Sequence, residues 1–60
     1  MKTERIIVNK DKYVILHIKE DNDFVHRVDV HTPNDVLNIS TSHHPYGISK
    51  EEAIQRYCLN

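Results

Sequence analysis

The sequence is poor in the residues that small domains use to reinforce or specialise themselves. Its 60 residues include one cysteine (Cys58), one glycine (Gly47) and no tryptophan. A single cysteine cannot form an internal disulfide, and a single glycine excludes a glycine-rich phosphate-binding loop. A chain this short buries only about 60% of the surface that its unfolded form exposes, so a monomer is expected to be marginally stable. Oligomerisation is a common remedy, and a homodimer is therefore expected.

Long apolar segments and a strong net charge are also missing. Apolar runs such as Val14-Ile15-Leu16 fall far short of the roughly 20 residues that span a bilayer. The N-terminal residues lack the apolar stretch of a signal peptide, and together with the lone thiol this predicts a cytoplasmic protein with no membrane association. Eight Lys and Arg against nine Asp and Glu give a net charge of −1, which does not favour nucleic acid as a partner.

Four short segments rich in β-branched residues, separated by turns containing Asn, Asp or Pro, predict strands. Their expected bounds are about Arg5–Val8, Tyr13–Lys19, Phe24–His31 and Val36–Thr41. The last segment could instead begin a helix at Thr32, but the alternation of its apolar residues favours a strand. The sequence therefore predicts one α+β domain over residues 1–60. In it, an antiparallel meander of three to four strands carries one C-terminal helix on one face.

Alternation also predicts how the strands pair, because a shift of one residue sends every side chain to the opposite face. Pairing Val14 with Val30 gathers apolar residues on one face, whereas the alternative places Val14 opposite Asp29. The predicted apolar face of the central strands carries Val14, Leu16, Ile18, Phe24, Val28 and Val30, with His26 among them. The expected neighbours from the outer strands are Ile6 beside Leu16, Val8 beside Val14, Leu37 beside Val30 and Ile39 beside Val28.

A capping box marks the start of the helix. Ser49 stands three residues before Glu52, so its hydroxyl can accept a hydrogen bond from the Glu52 amide. Four residues at helical spacing then predict an apolar stripe that packs on the sheet: Ala53, Ile54, Tyr57 and Cys58. His26, on the same face, is expected to bond a backbone carbonyl or the hydroxyl of Tyr57.

The sequence gives little support to metal binding or catalysis. Its five histidines are not accompanied by the cysteine pair of a zinc site, and His26 and His31 should point to opposite faces of a strand. Asp29, His31 and Ser40 resemble a catalytic triad only in composition, and Cys58 belongs to the helix stripe. We therefore expect no metal site, no cofactor and no enzymatic activity.

The more informative surface is the sheet face that points away from the helix. It is predicted to carry Ile7, Tyr13, Ile15, His17, Lys19, Val25, Arg27, Asp29, His31, Val36, Asn38 and Ser40. Exposed apolar clusters rimmed by polar groups often mark partner surfaces. The residues expected to bind a partner are Ile7, Tyr13, Ile15, His17 and Arg27.

Two functions are compatible with such a surface. The leading hypothesis is a small non-enzymatic protein-binding module (a regulator, inhibitor or adaptor) that acts through the open face or an edge strand, as a homodimer. The alternative is a nucleic-acid-binding domain that reads bases from the open face of the sheet, using Lys19, Arg27, His31 and Asn38.

Overall fold

The structure, a computed structural model, describes residues 2–32 and 39–59. Its elements are β1 (Lys2–Asn9), β2 (Lys12–Ile18), β3 (Val25–His31), β4 (Ile39–Ile48) and α1 (Lys50–Tyr57). The strands form one antiparallel sheet in the order β1-β2-β3-β4. The predicted α+β meander with a C-terminal helix is confirmed. Within the described ranges, no helix has the length and apolar character that crossing a bilayer requires.

The central pair of strands has the predicted register, with Val14 opposite Val30 and Leu16 opposite Val28. The prediction was wrong at the start of β3. A bulge there pairs Ile18 with Val25, so Val25 enters the core while Phe24 remains 44% exposed. An extra residue in one strand reverses the alternation on one side of the bulge. Simple alternation therefore placed Phe24 in the core and Val25 on the open face, and both placements are corrected.

The turn between β1 and β2 is shorter than expected, which shifts the pairing of β1. Ile6 lies opposite Val14, and Glu4 lies opposite Leu16, so the predicted pairs of Ile6 with Leu16 and Val8 with Val14 were wrong. The backbone amide of Asp11 donates to the side chain of Asn9 at 2.7 Å, which stabilises this tight turn. Because the shift is two residues, Ile6 still faces the core.

The fourth strand lies further along the chain than predicted. Ile39 pairs with His31 and Ser40 with Val30, so the predicted placement of Ile39 beside Val28 was wrong. Ile39 therefore lies on the open face, and Ser40 on the helix side, which also corrects the open-face assignment of Ser40. The turn expected between the third and fourth strands, the residues that would follow the alternative helix start at Thr32, and Val36, Leu37 and Asn38 lie outside the described residues.

The strand β4 continues through Pro45 and Gly47 to Ile48. In the described part of the sheet β4 is an edge strand, and such a strand tolerates both residues because one side of its backbone is not paired there. Gly47 has a φ of +79°, and a Cβ atom there would lie 2.8 Å from both the Cβ of Phe24 and the Nε2 of His26. The backbone thus requires glycine at this position.

The core lies between the sheet and α1, which packs mainly on β3. Its buried apolar residues are Val14, Leu16, Ile18, Val25, Val28, Ala53 and Cys58. Ile54 and Tyr57 pack against it, which confirms the predicted stripe. The amide of Glu52 donates to the Ser49 hydroxyl at 3.1 Å, which confirms the cap.

The hydroxyl of Tyr57 does not bond His26. It lies 2.7 Å from the Nε2 of His44, on β4. The Nε2 of His26 is buried and has no hydrogen-bond partner in the part of the chain that the structure describes. The expected bond between His26 and Tyr57 was therefore wrong, because the predicted strands did not include residues 42–48, which bring His44 next to Tyr57 on the helix.

Candidate binding face

The open face of the sheet carries a regular grid of side chains. Strand pairing places twelve residues in three rows of four, each row running from β1 to β4. We call these the apolar row (Ile7, Tyr13, His31, Ile39), the central row (Arg5, Ile15, Asp29, Thr41) and the histidine row (Thr3, His17, Arg27, His43). The helix lies on the opposite side, and no element in the described ranges covers this open face. The twelve side chains form its surface.

The apolar row combines aromatic stacking with exposed aliphatic groups. The rings of Tyr13 and His31 stack with centroids 4.5 Å apart and an angle of 7° between their planes. The guanidinium carbon of Arg5 lies 4.3 Å from the centroid of the Tyr13 ring. Because β1 and β3 flank β2 on opposite sides, the two contacts cover opposite faces of that ring. At the two ends of the row, Ile7 and Ile39 are 71% and 53% exposed.

A carboxylate at the centre of the grid organises the remaining side chains. Asp29 is only 7% exposed, although none of the elements that the structure describes lies over it. Its Oδ2 lies 2.8 Å from the Nε2 of His17. Its Oδ1 accepts from the Thr41 hydroxyl at 2.8 Å and from the Nε of Arg27 at 3.2 Å. Asp29 therefore holds side chains from three strands in fixed positions.

The same contacts determine the protonation of the Asp29 carboxyl group. Burial raises the pKa of Asp29, but hydrogen bonds from His17, Thr41 and Arg27, together with the positive charge of Arg27, outweigh that effect. The pKa of Asp29 is consequently lower than its ordinary value of 3.8. The carboxylate is thus ionised at neutral pH and remains so in mild acid.

The structure brings all five residues of the predicted partner-binding set onto the grid. Ile7 and Tyr13 are opposite each other, and so are His17 and Arg27, while Ile15 lies between Arg5 and Asp29. Sequence reasoning missed Arg5 and Thr41. Arg5 could have been found, because it alternates with Ile7 on the same strand. Thr41 was missed because the register of β4 was predicted incorrectly.

Besides Val25 and Ser40, a third residue expected on this face lies elsewhere. Lys19 follows β2 and belongs to the turn, where its amide donates to the Phe24 carbonyl at 2.9 Å. Val36 and Asn38 lie outside the described residues. For the nucleic-acid alternative, this leaves Arg27 and His31 on the face.

Four of the five histidines are divided between the two faces of the sheet. His17, His31 and His43 lie on the grid, and His44 faces the helix. Within residues 2–32 and 39–59, no group of three His, Cys, Asp or Glu side chains could hold a metal ion. The thiol of Cys58 is buried, and burial raises its pKa despite the nearby charge of Lys12, which makes it a poor nucleophile.

A cleft lies beside the start of α1. It is lined by Lys2, Glu4, Ile18, Asp23 and Lys50. Its charges are paired internally, because Lys2 contacts Asp23 at 3.4 Å and Lys50 contacts Glu4 at 2.7 Å. The cleft therefore offers a partner fewer unpaired charged groups than the grid does.

Comparison with protein-family models, with curated protein sequences and with solved structures finds no match for this chain.

Proposed function

We propose that this chain is a small non-enzymatic protein-binding module that uses the open face of its sheet. The observation that carries the proposal is the grid itself. Its exposed apolar row lies beside polar side chains that are already fixed in place by Asp29. A face that is ordered before binding loses less side-chain entropy when a partner covers it.

The composition of the grid also suits protein recognition. Tyr and Arg are frequent anchors of protein interfaces. The guanidinium of Arg5 lies over the ring of Tyr13, and Arg27 lies on the neighbouring strand β3, opposite His17. Ile7 and Ile39 supply apolar area at the edges of the sheet. An apolar group surrounded by polar ones is typical of surfaces that bind other proteins.

The single cysteine supports a location in a reducing compartment such as the cytoplasm. Cys58 is unpaired and buried, so the fold does not depend on a disulfide. Secreted domains of this size commonly contain several disulfides.

Self-association through an edge strand is a second candidate. The two edges of the sheet differ, because β4 contains Pro45 and Gly47 whereas β1 has eight residues and no proline. Proline and irregular geometry protect an edge from pairing, so β1 is the better template for a strand from a second copy. Light scattering after size exclusion at increasing concentration tests this candidate. A dimer supports pairing through β1, and a monomer at every concentration contradicts it.

The main proposal can be tested with two matched substitutions. Ile7 on the grid and Leu59 after the helix are isomeric side chains with nearly equal exposure, 71% and 73%. We expect Ile7→Ser to weaken capture of a partner protein from an extract of the source organism, and Leu59→Ser to leave the same capture unchanged. Mass spectrometry would identify the captured protein and quantify it for each variant. Equal capture by both variants, or a loss only with Leu59→Ser, would contradict binding through the open face.

A further inference from the structure

We infer that the partner of the open face is a protein segment rich in Asp and Glu, with an apolar side chain that lies over Ile15. This inference rests on the proposed function, because it names the chemistry of the partner for the same face. The two arginines of the grid are held with donor groups exposed, and the grid offers them no free carboxylate.

Arg5 is positioned, and the structure gives it no carboxylate partner among the described residues. Its guanidinium lies over the Tyr13 ring, 4.3 Å from the centroid, on an exposed part of β1. An aromatic face attracts a cation but leaves the N–H groups at the edge of the guanidinium available. These groups match the geometry of a carboxylate, which can accept two parallel hydrogen bonds from them.

Arg27 is held differently and offers the same chemistry. Its Nε donates to the Oδ1 of Asp29 at 3.2 Å, and its side chain is 48% exposed. Because the contact with Asp29 uses Nε, the two terminal nitrogens can serve a ligand. Arg5 and Arg27 lie two strands and two residues apart, which corresponds to about 12 Å between their Cα atoms. Ile15 lies between them, in the central row.

The grid, all of whose residues the structure describes, has no free carboxylate that could pair with these arginines. Asp29 is its single acidic residue, and it is buried and already hydrogen-bonded. A second copy of the chain packed face to face would add the arginines of its own grid and no free carboxylate from that grid. Since an unpaired buried charge is costly, a different molecule that supplies carboxylates is the better complement to these arginines.

A nucleic acid would also supply negative charge, but the geometry favours an acidic protein segment. Both faces of the Tyr13 ring are occupied, one by Arg5 and the other by His31, so the ring cannot stack on a base. Two arginines also provide few contacts for a phosphate backbone, whose binding usually involves several Lys and Arg side chains.

Selection from a display library of random peptides on the immobilised chain tests this inference. We expect the selected peptides to be enriched in Asp and Glu together with Ile, Leu or an aromatic residue. Their binding should weaken about three- to tenfold with Arg5→Gln and with Arg27→Gln. Lys10→Gln removes the same charge from the β1–β2 turn and should change binding little. Circular dichroism would confirm that each variant is folded.

The outcomes separate the inference from the proposed function. Selected peptides that are lost with Ile15→Thr but carry no acidic excess would leave the binding face intact and overturn the acidic partner. Absence of any peptide that depends on the open face would contradict both. Single-stranded and duplex 20-mers of DNA are tested in parallel at ~50 mM salt. Tighter binding of DNA than of the acidic peptides, weakened by both arginine substitutions, would assign the face to nucleic acid instead.

Discussion

Replacing Asp29 by alanine should destabilise the fold, although this residue lies on the face that the helix does not cover. Three hydrogen bonds converge on its carboxylate, at 2.8, 2.8 and 3.2 Å. A hydrogen bond to a charged group contributes about 1.5–3 kcal/mol when water cannot replace it. Here the contributions are unequal, because the three donors differ in their exposure to water.

The contribution of each hydrogen bond to the free energy of unfolding depends on how exposed its donor is to water. The Arg27 side chain is 48% exposed, so its contact with Asp29 contributes at most about 1 kcal/mol. Thr41 is also exposed and can bond water instead. The His17 side chain is 19% exposed, and its bond contributes most. We expect a total loss of about 2–3 kcal/mol in the free energy of unfolding.

A loss of that size is large for this chain. A domain of 60 residues has a free energy of unfolding of roughly 3–9 kcal/mol. The melting temperature should consequently fall by about 10–20 °C. Urea unfolding followed by circular dichroism measures the change directly.

Asp21→Ala, in an exposed turn, is the control and should change the free energy by less than about 0.5 kcal/mol. If Asp29→Ala were as mild as this control, the central row would not be the organised network described above.

Three further predictions concern pH, backbone and thiol chemistry. The lowered pKa of Asp29 means that its contribution to stability is complete above its ordinary pKa of 3.8 and is lost as the pH falls through the lowered value. Asp29→Asn should therefore flatten the loss of stability below about pH 4, and an unchanged acid curve would contradict this. In Gly47→Ala the new Cβ would occupy a position with positive φ and two close contacts, so the free energy of unfolding should fall by about 2 kcal/mol. An unchanged melting temperature would show that alanine is not strained there. Cys58 should react with a thiol reagent slowly in the native state and rapidly in urea, because burial keeps the thiol protonated and inaccessible; equal rates would show that it is exposed.

The sequence was sufficient for the parts of the fold that depend on regular alternation. The pairing of Val14 with Val30 followed from keeping Asp29 out of the core, and the helix start followed from Ser49 and Glu52. These features are local, or they depend on two neighbouring strands whose apolar residues must share a face. No longer-range information was needed for them.

The errors arose where the chain departs from regular alternation. A bulge exchanged the roles of Phe24 and Val25, and β4 runs through Pro45 and Gly47, which usually interrupt strands. Periodicity carries no signal for an inserted residue, so the bulge could not be predicted from it. The missed extension of β4 concealed Thr41 and the contact of His44 with the helix.

Five residues of the candidate face were predicted to share one side of the sheet, but the burial and hydrogen bonding of Asp29 were not predicted. All five expected residues lie on it, yet the residue pattern gave no indication of a buried centre around Asp29. The structure instead has a buried carboxylate with three hydrogen-bond donors. Its burial depends on the simultaneous packing of side chains from three strands, which a residue pattern along one strand does not reveal.

The most direct test of the binding face uses the seven isoleucines, which are divided between the two sides of the sheet. Three lie on the grid: Ile7, Ile15 and Ile39. Four belong to the core side: Ile6, Ile18, Ile48 and Ile54. With labelled isoleucine methyl groups, NMR spectra are recorded as a peptide from the display selection is added. The account predicts that the three grid methyl signals shift while the four core-side signals stay in place. Shifts confined to the core-side methyl groups would contradict it.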